Sequence, residues 1–294
     1  MYSSRKDRAT NRPAKPTCSV VTPTHNSSKF ISKLLDSLVD VTGLEIILVD
    51  DHSSDFEQLK NVAKNHILSE SIKILQNKGG RSAGTSRSLG LKAARGKWVI
   101  FADSDDYFSD DITDILNTYS KNKADVVLFR PKSISPKNLA PTSRIKYIQF
   151  CFDEYIQGKI SKTTLSYRLT PVWSKLYKRS KINSIKFRST SVANDVFWSA
   201  KAAFYTRKNI TVDTTRHLYN VVERPGSITR TKSRNIKRTS RRIVERISAD
   251  LWVKIMTLRH DKRNIHLGRH KSIFRKFYMK PSHRSSQSTQ QEQA

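Results

Sequence analysis

Short apolar runs alternate with stretches of helical spacing through the first 130 residues. Cys18-Ser-Val-Val-Thr22 is a β-branched run closed by Pro23, and apolar residues at 30, 31, 34, 35 and 38 then follow a helical period. The same alternation returns with strands at 44–49, 72–75, 97–102 and 125–129, and helices at 56–68, 89–94 and 112–119. Five alternations predict an α/β fold whose mainly parallel sheet is covered by helices on both faces. Three loops after these strands carry unusual chemistry: His25-Asn26, Asp50-Asp51 and Asp103-Ser104-Asp105-Asp106. Right-handed crossovers would bring all three to one sheet edge, where open α/β folds bind ligands.

The pattern loosens over 131–170. It sharpens at Val172 to Tyr177, in a helix over 196–204, and in short strands at 210–212 and 217–222. Arg241 to Leu258 reads as an amphipathic helix, with Val244, Ile247, Leu251, Ile255 and Leu258 on one face and Arg242, Glu245, Arg246 and Lys254 on the other. The expected organisation is a basic tail over 1–16, an α/β domain over 17–229, a basic helical region over 230–280 and a Ser/Gln-rich tail over 281–294.

Charge changes this picture. The chain has 294 residues, with 55 Lys and Arg against 25 Asp and Glu, a formal +30. Residues 223–294 hold nineteen of those bases against five acids. Such an excess calls for a polyanionic partner: nucleic acid, an anionic membrane surface or an acidic polymer. No RRM, KH or helix-turn-helix signature supports nucleic acid. The two cysteines and eight histidines show no zinc spacing. No run reaches signal-peptide or membrane-spanning length, so the expectation is a cytoplasmic protein, at most peripheral on a membrane.

The D-x-D pair, Asp103 and Asp105, suits a hard cation, because Mg²⁺ is usually held by one or two carboxylates plus substrate phosphates. The competing reading is a turn whose Asp caps the next helix. Arg87 has the planar fork that grips a diphosphate, or is a solvated arginine of a basic protein. Asp195 heads a helix and serves equally as its N-cap. Trp173 suits stacking on a sugar face or burial in the core.

Taken in order, Ser19-Val-Val-Thr-Pro-Thr-His-Asn26, Ile46 to Asp55, Asn77 to Gly90, Gly96 to Asp106, Trp173-Ser-Lys-Leu-Tyr177, Asn194-Asp195-Val-Phe and Leu218-Tyr219…Arg224-Pro-Gly-Ser-Ile-Thr229 resemble the family 2 glycosyltransferases of GT-A fold. The resemblance covers 17–229. It implies a metal-dependent inverting transferase that uses a nucleotide-diphosphate sugar, by expectation a UDP-sugar, with Mn²⁺ or Mg²⁺. Pro23, Asp51, Asn77, Arg87, Asp103, Ser104, Arg224 and Ser227 would then line the nucleotide sugar. Asp105, with Asp103, would hold the metal, and His217 is a candidate third ligand. Asp195 would be the general base, with Trp173, Lys175 and Asn194 on the acceptor side. Asn194 stands where the family carries Glu, which removes a negative charge beside the base. The spacing of 84–90 together with 50–53 is similar to the subgroup that builds or decorates wall teichoic acid and capsule, whose phosphate-rich acceptors suit a +30 chain. The alternative is a polyanion- or nucleic-acid-binding protein on a nucleotide-binding α/β domain. The basic C-terminal region is expected to be an anchor on an anionic surface, an ordinary core helix or a homo-oligomer contact.

Overall fold

The structure is a computed structural model that describes residues 15–135, 141–190, 193–223 and 236–260, the last helix with side chains from 240 to 256. Arg224 and Ser227 lie outside the described residues, as does the apolar cluster Ile273 to Tyr278. The chain divides into two compact units, Met1–Val253 and Lys254–Ala294.

The expected alternation is present. Strand β1 (Cys18–Thr24) leads through α1 (Ser28–Asp36) to β2 (Leu44–Asp50), α2 (Phe56–Asn65) and β3 (Ile72–Gln76). Helix α3 (Ala83–Ala93), β4 (Trp98–Phe101), a short β5 (Tyr107–Phe108), α4 (Ile112–Ser120) and β6 (Val126–Phe129) follow. The loosely patterned segment holds β7 (Lys132–Ile134), α5 (Ser143–Ile156) and α6 (Lys162–Arg168). Then come β8 (Lys175–Lys178), α7 (Arg179–Ile182), α8 (Asn194–Thr206), β9 (Ile210–Asp213), β10 (Tyr219–Val222) and α9 (Ile236–His260).

The main sheet has the order β3-β2-β1-β4-β8-β6-β9, and a second sheet the order β5-β10-β7. Only β8 runs antiparallel in the main sheet, wedged between β4 and β6. All seven residues of β1 and of β2 are buried, and each buried Val, Leu or Ile side chain contributes about 1.5–3 kcal/mol. Phe101, Tyr177, Phe187 and Trp198 form an aromatic cluster in which Phe187 stacks on Trp198 at 4.6 Å and Phe101 meets Trp198 edge-on at 5.1 Å. The cluster ties the end of β4 and β8 to α8, so the loop after β4 and the start of α8 are held on one rigid base.

Three expectations need correction. Pro23 does not end β1, because it is buried inside the strand opposite Val49. The ladder explains its tolerance. Val21 faces β4, accepting from the Ala102 N–H, so Pro23, two residues on, faces the same side. There the β1–β4 pairing has already stopped at Val21 and Phe101, and the missing N–H breaks no ladder bond. Second, α3 begins at Ala83, six residues ahead of the expected Leu89. A Cβ on Gly90 would lie 2.4 Å from Val21 Cγ1, and one on Gly84 2.5 Å from the Arg188 carbonyl. These glycines let the helix lie close to β1 and to the 187–190 stretch. Third, the core-helix alternative for the basic C-terminal region does not hold, because the apolar face of α9 is turned outward. Val244, Ile247, Leu251 and Ile255 are exposed, whereas Glu245 and Ala249 are buried. Trp252 meets Phe204 edge-on at 5.4 Å, and Glu245 is neutralised by Arg188 at 3.0 Å.

Candidate active site

The C-terminal ends of β1, β2, β3 and β4 share one edge, extended past the strands by backbone bonds from Asp51 N to Thr24 O (2.8 Å) and Asn77 N to Asp50 O (2.8 Å). Four non-glycine residues of the described chain have positive φ: Asn26, His52, Ser174 and Ala193. The first two follow β1 and β2, Ser174 precedes β8, and Ala193 precedes α8. Such conformations cost about 1 kcal/mol or more each and gather where a site is being shaped.

Asp51 is buried and accepts from Asn77 Nδ2 (2.8 Å) and the Ser82 backbone N–H (3.2 Å). Asn77 also reaches the Gly80 carbonyl and Thr85 Oγ1, while its own Oδ1 accepts from Gly79 N. Its amide therefore shapes the 77–85 loop around Asp51. His25 caps the other side, with Nδ1 2.9 Å from the Asp51 carbonyl oxygen and the Arg81 guanidinium against its ring. Arg81 was not singled out from the sequence. Within Asn77 to Gly90 its only signal was a cation beside two glycines.

The Asp103–Asp106 loop divides its carboxylates. Asp103 and Asp105 are half-buried, as is Ser104 between them. Asp106 is buried and accepts from Val222 N at 2.8 Å. Burial, then the charges of Asp103 and Asp105, push its carboxyl well above the usual carboxylate range. Asp106 thus joins the loop to β10. Tyr219 does the same: its phenol oxygen accepts from Asp103 N at 2.8 Å, and its ring is stacked on Trp173 with centroids 5.6 Å apart. Trp173 is 5% exposed, and its stacking partner in the structure is this tyrosine.

Arg87 connects the two halves of the edge. From the middle of α3 its Nη2 holds Asp103 Oδ1 at 2.5 Å and its Nη1 donates to Asn194 Oδ1 at 3.0 Å. The arginine expected to grip a ligand is thus engaged with protein on both arms. Asn194 opens α8, and Asp195 lies in its first turn, half-buried. The N-cap position falls to Ala193 and carries no side-chain cap, so Asp195 is not the cap. Beneath it, Lys175 is buried with its Nζ on the Leu169 carbonyl. Burial pulls its amine down to about 7 against the opposing charge of Asp195. Lys175 is therefore buried within electrostatic reach of Asp195.

His217 is not brought to the D-x-D pair. The Tyr219–Phe108 register carries it alongside Asp111, whose Oδ2 accepts its backbone N–H at 3.2 Å and lies 3.4 Å from its Nδ1. Burial and the charge of Lys132 hold its imidazole below the usual range. Among the described residues no three His, Cys, Asp or Glu side chains form a metal cage. Two half-buried aspartates on one loop still fit a hard cation that brings phosphate oxygens and water for its remaining positions. A pocket lined by Glu45, Glu70, Ile72 and Arg95 opens at the start of β3 and shares no residue with this edge. No described helix is long and apolar enough to cross a membrane.

Residues 19–195 match the model of glycosyl transferase family 2. A poly(ribitol-phosphate) beta-glucosyltransferase of Bacillus spizizenii is 33% identical over 220 residues, 71% of this chain and 32% of that protein. The poly(ribitol-phosphate) beta-N-acetylglucosaminyltransferase TarS of Staphylococcus aureus is 29% identical over 219 residues, 71% of this chain and 36% of that protein. The chain thus spans about a third of the length of these curated relatives. The crystal structure of S. aureus TarS 1-349 superposes with a TM-score of 0.54 at 27% identity, covering 70% of this chain and 60% of that one. A mannosyltransferase of Pyrobaculum calidifontis, solved with GDP-Man and Mn²⁺, shares the fold at 16% identity and a TM-score of 0.56, over 81% and 65% of the two chains.

Proposed function

The chain belongs to glycosyl transferase family 2, and on that premise we propose that it moves a sugar from a nucleotide-diphosphate sugar, by preference a UDP-sugar, to a hydroxyl of a teichoic-acid-like anionic polymer. The observation that carries the reading is the Arg87 bridge, which ties the D-x-D loop to the start of α8 at 2.5 and 3.0 Å. It supports a donor site and a base that share one frame. The names of the TarS-like relatives support the acceptor class, and the +30 charge suits a phosphate-rich chain.

In this mechanism Asp51, fixed by Asn77 and Ser82, accepts a hydrogen bond from the edge of the nucleobase. Asp103 and Asp105 would hold Mn²⁺ or Mg²⁺. When bound, the cation supplies charge neutralisation for the leaving diphosphate. The Asp195 carboxylate takes the proton of the acceptor hydroxyl as that oxygen bonds to the anomeric carbon and the carbon–diphosphate bond breaks, which inverts the anomeric centre. Asn194 receives the Arg87 N–H and keeps α8 in register with Asp103. Lys175 stays inside, within electrostatic reach of Asp195. Arg224 and Ser227 are retained as donor-binding residues on the resemblance alone.

The test is direct. UDP-, GDP-, CMP- and dTDP-sugars are screened by thermal shift with and without Mn²⁺. The best donor is then incubated with isolated poly(ribitol-phosphate), and nucleotide release is followed. Release that needs both polymer and Asp195 supports the proposal. A protein whose melting temperature responds to none of these donors, and which consumes none, refutes it.

A further inference from the structure

Helix α9 is apolar on the side that faces away from the protein. Ile243, Val244, Ile247 and Leu251 are 53%, 57%, 61% and 55% exposed. At about 100° per residue they share a stripe roughly 100° wide and about 12 Å long. Glu245, Ala249 and Trp252 project from the opposite side, where they meet Arg188, Phe197 and Phe204. The helix is therefore already docked through Glu245, Ala249 and Trp252, and its aliphatic stripe is left outside. Single exposed aliphatic residues need no explanation, whereas a contiguous row of them marks a contact surface.

The rim of the stripe decides what that contact is. Arg241, Arg242 and Arg246 are exposed beside it, and α9 as a whole carries seven Lys and Arg against two Asp and Glu. One of those acids, Glu245, is buried on Arg188. A second copy laid face to face would set two like-charged rims together. An acidic polymer would engage the exposed arginines and leave the aliphatic row in water. A bilayer with anionic head groups answers both at once, since it offers phosphates at the depth of the rim and acyl chains beneath the stripe.

We propose that the outer face of α9 docks on an anionic lipid bilayer, inserting Ile243, Val244, Ile247 and Leu251 at the head-group boundary with the arginines on the phosphates. The surface works independently of sugar transfer, so this inference goes beyond the proposed function and can fail without it.

Full-length protein is co-sedimented with vesicles of phosphatidylglycerol and phosphatidylcholine, and with pure phosphatidylcholine, at low and high salt. The native protein is expected to bind the anionic vesicles at least about tenfold more tightly than the neutral ones. Ile247→Ser with Leu251→Ser should lower anionic binding about tenfold or more at both salt concentrations, because that loss is apolar. Arg241→Gln with Arg242→Gln should weaken binding at low salt and little at high salt. All four positions are exposed, so melting temperature and soluble-donor turnover should stay at native values. Serine variants that bind like the native protein overturn the proposal. So does a native dimer, seen by light scattering, that these same substitutions dissociate, because the stripe then belongs to a second copy. Binding of poly(ribitol-phosphate) that falls in the serine variants while vesicle binding does not overturns it as well.

Discussion

Replacing Arg87 by methionine separates the frame of the site from its chemistry. The side chain is 9% exposed, with a short ionic bond to Asp103 and a charge-assisted one to the neutral amide of Asn194. A hydrogen bond involving a charged group contributes roughly 1.5–3 kcal/mol. The Asp103 side chain is 34% exposed, so water takes over part of the ionic bond and its contribution drops to about half. Against both stands Arg87 Nε, which is buried without an acceptor, a standing cost of about 1–3 kcal/mol that methionine removes. These opposing terms leave a stability change below about 3.5 kcal/mol.

Turnover should respond far more strongly. Without the fork, the D-x-D loop and the start of α8 are no longer held at a fixed separation. Removing one preorganised group of this kind typically costs about 10²-fold. Lysine at the same position keeps the charge but reaches only one partner, and should resemble methionine. Urea unfolding and initial rates of nucleotide release on the same preparations measure the two effects. A methionine variant with turnover within about threefold of native refutes the bridging role. A stability loss above about 4 kcal/mol would instead make Arg87 a strut of the core.

Three other outcomes are expected. Asp195→Asn should lower turnover by about 10²-fold or more while donor affinity, measured by calorimetry, holds; near-native turnover would exclude a general base there. Asp105→Ala should abolish the gain in donor affinity that Mn²⁺ gives the native protein, and equal affinities in EDTA and in Mn²⁺ for the native protein would end the metal assignment. For Lys175 the folded amine lies at about 7, below its ordinary 10.5. Between those values the unfolded chain binds the extra proton, so the lysine makes stability rise with pH across that window and adds no slope below about 7. Lys175→Met should remove that rise. Urea unfolding of both proteins at pH 7, 8 and 9 gives the difference, which matters because burial pushes the Cys18 thiol up and gives an opposite slope. Parallel pH profiles for the two proteins would contradict a buried amine.

Much of the edge was legible in the sequence because its chemistry sits where strands stop. Asp51 and Asp103 follow apolar runs, and a run of that kind has few ways to end other than at a sheet edge. Glycine misled at α3, where Gly84 lay ahead of the expected helix at 89–94 but serves close packing inside the observed one. Pro23 misled for the converse reason: only the neighbouring strand's length shows that its missing donor is harmless. The Thr142 and Ser161 caps of α5 and α6 were visible signals inside the segment read as irregular. On α9 the hydrophobic pattern named the apolar face but not whether it turns to the core or outward. A salt bridge from Arg188 let Glu245 take the inward place, and no local pattern encodes a partner 57 residues away. His217 followed the same logic, since one strand register decided whether it met Asp105 or Asp111.

The antiparallel insertion of β8 also sets a schedule for the growing chain. Strands β3, β2, β1 and β4 are complete once residue 101 has been made, but β4 finds its outer neighbour only when residues 175–178 appear. Strand β6, though synthesised earlier, has no seat in the sheet until then. At roughly 5–20 residues per second, those 77 residues take about 4–15 s to emerge. Throughout that interval Trp98, Val99, Ile100 and Phe101, all fully buried in the finished protein, form the bare edge of a half-built sheet. The nascent chain is therefore prone to misassociate while residues 102–178 are being added, and a product that stops before residue 175 keeps that edge for good.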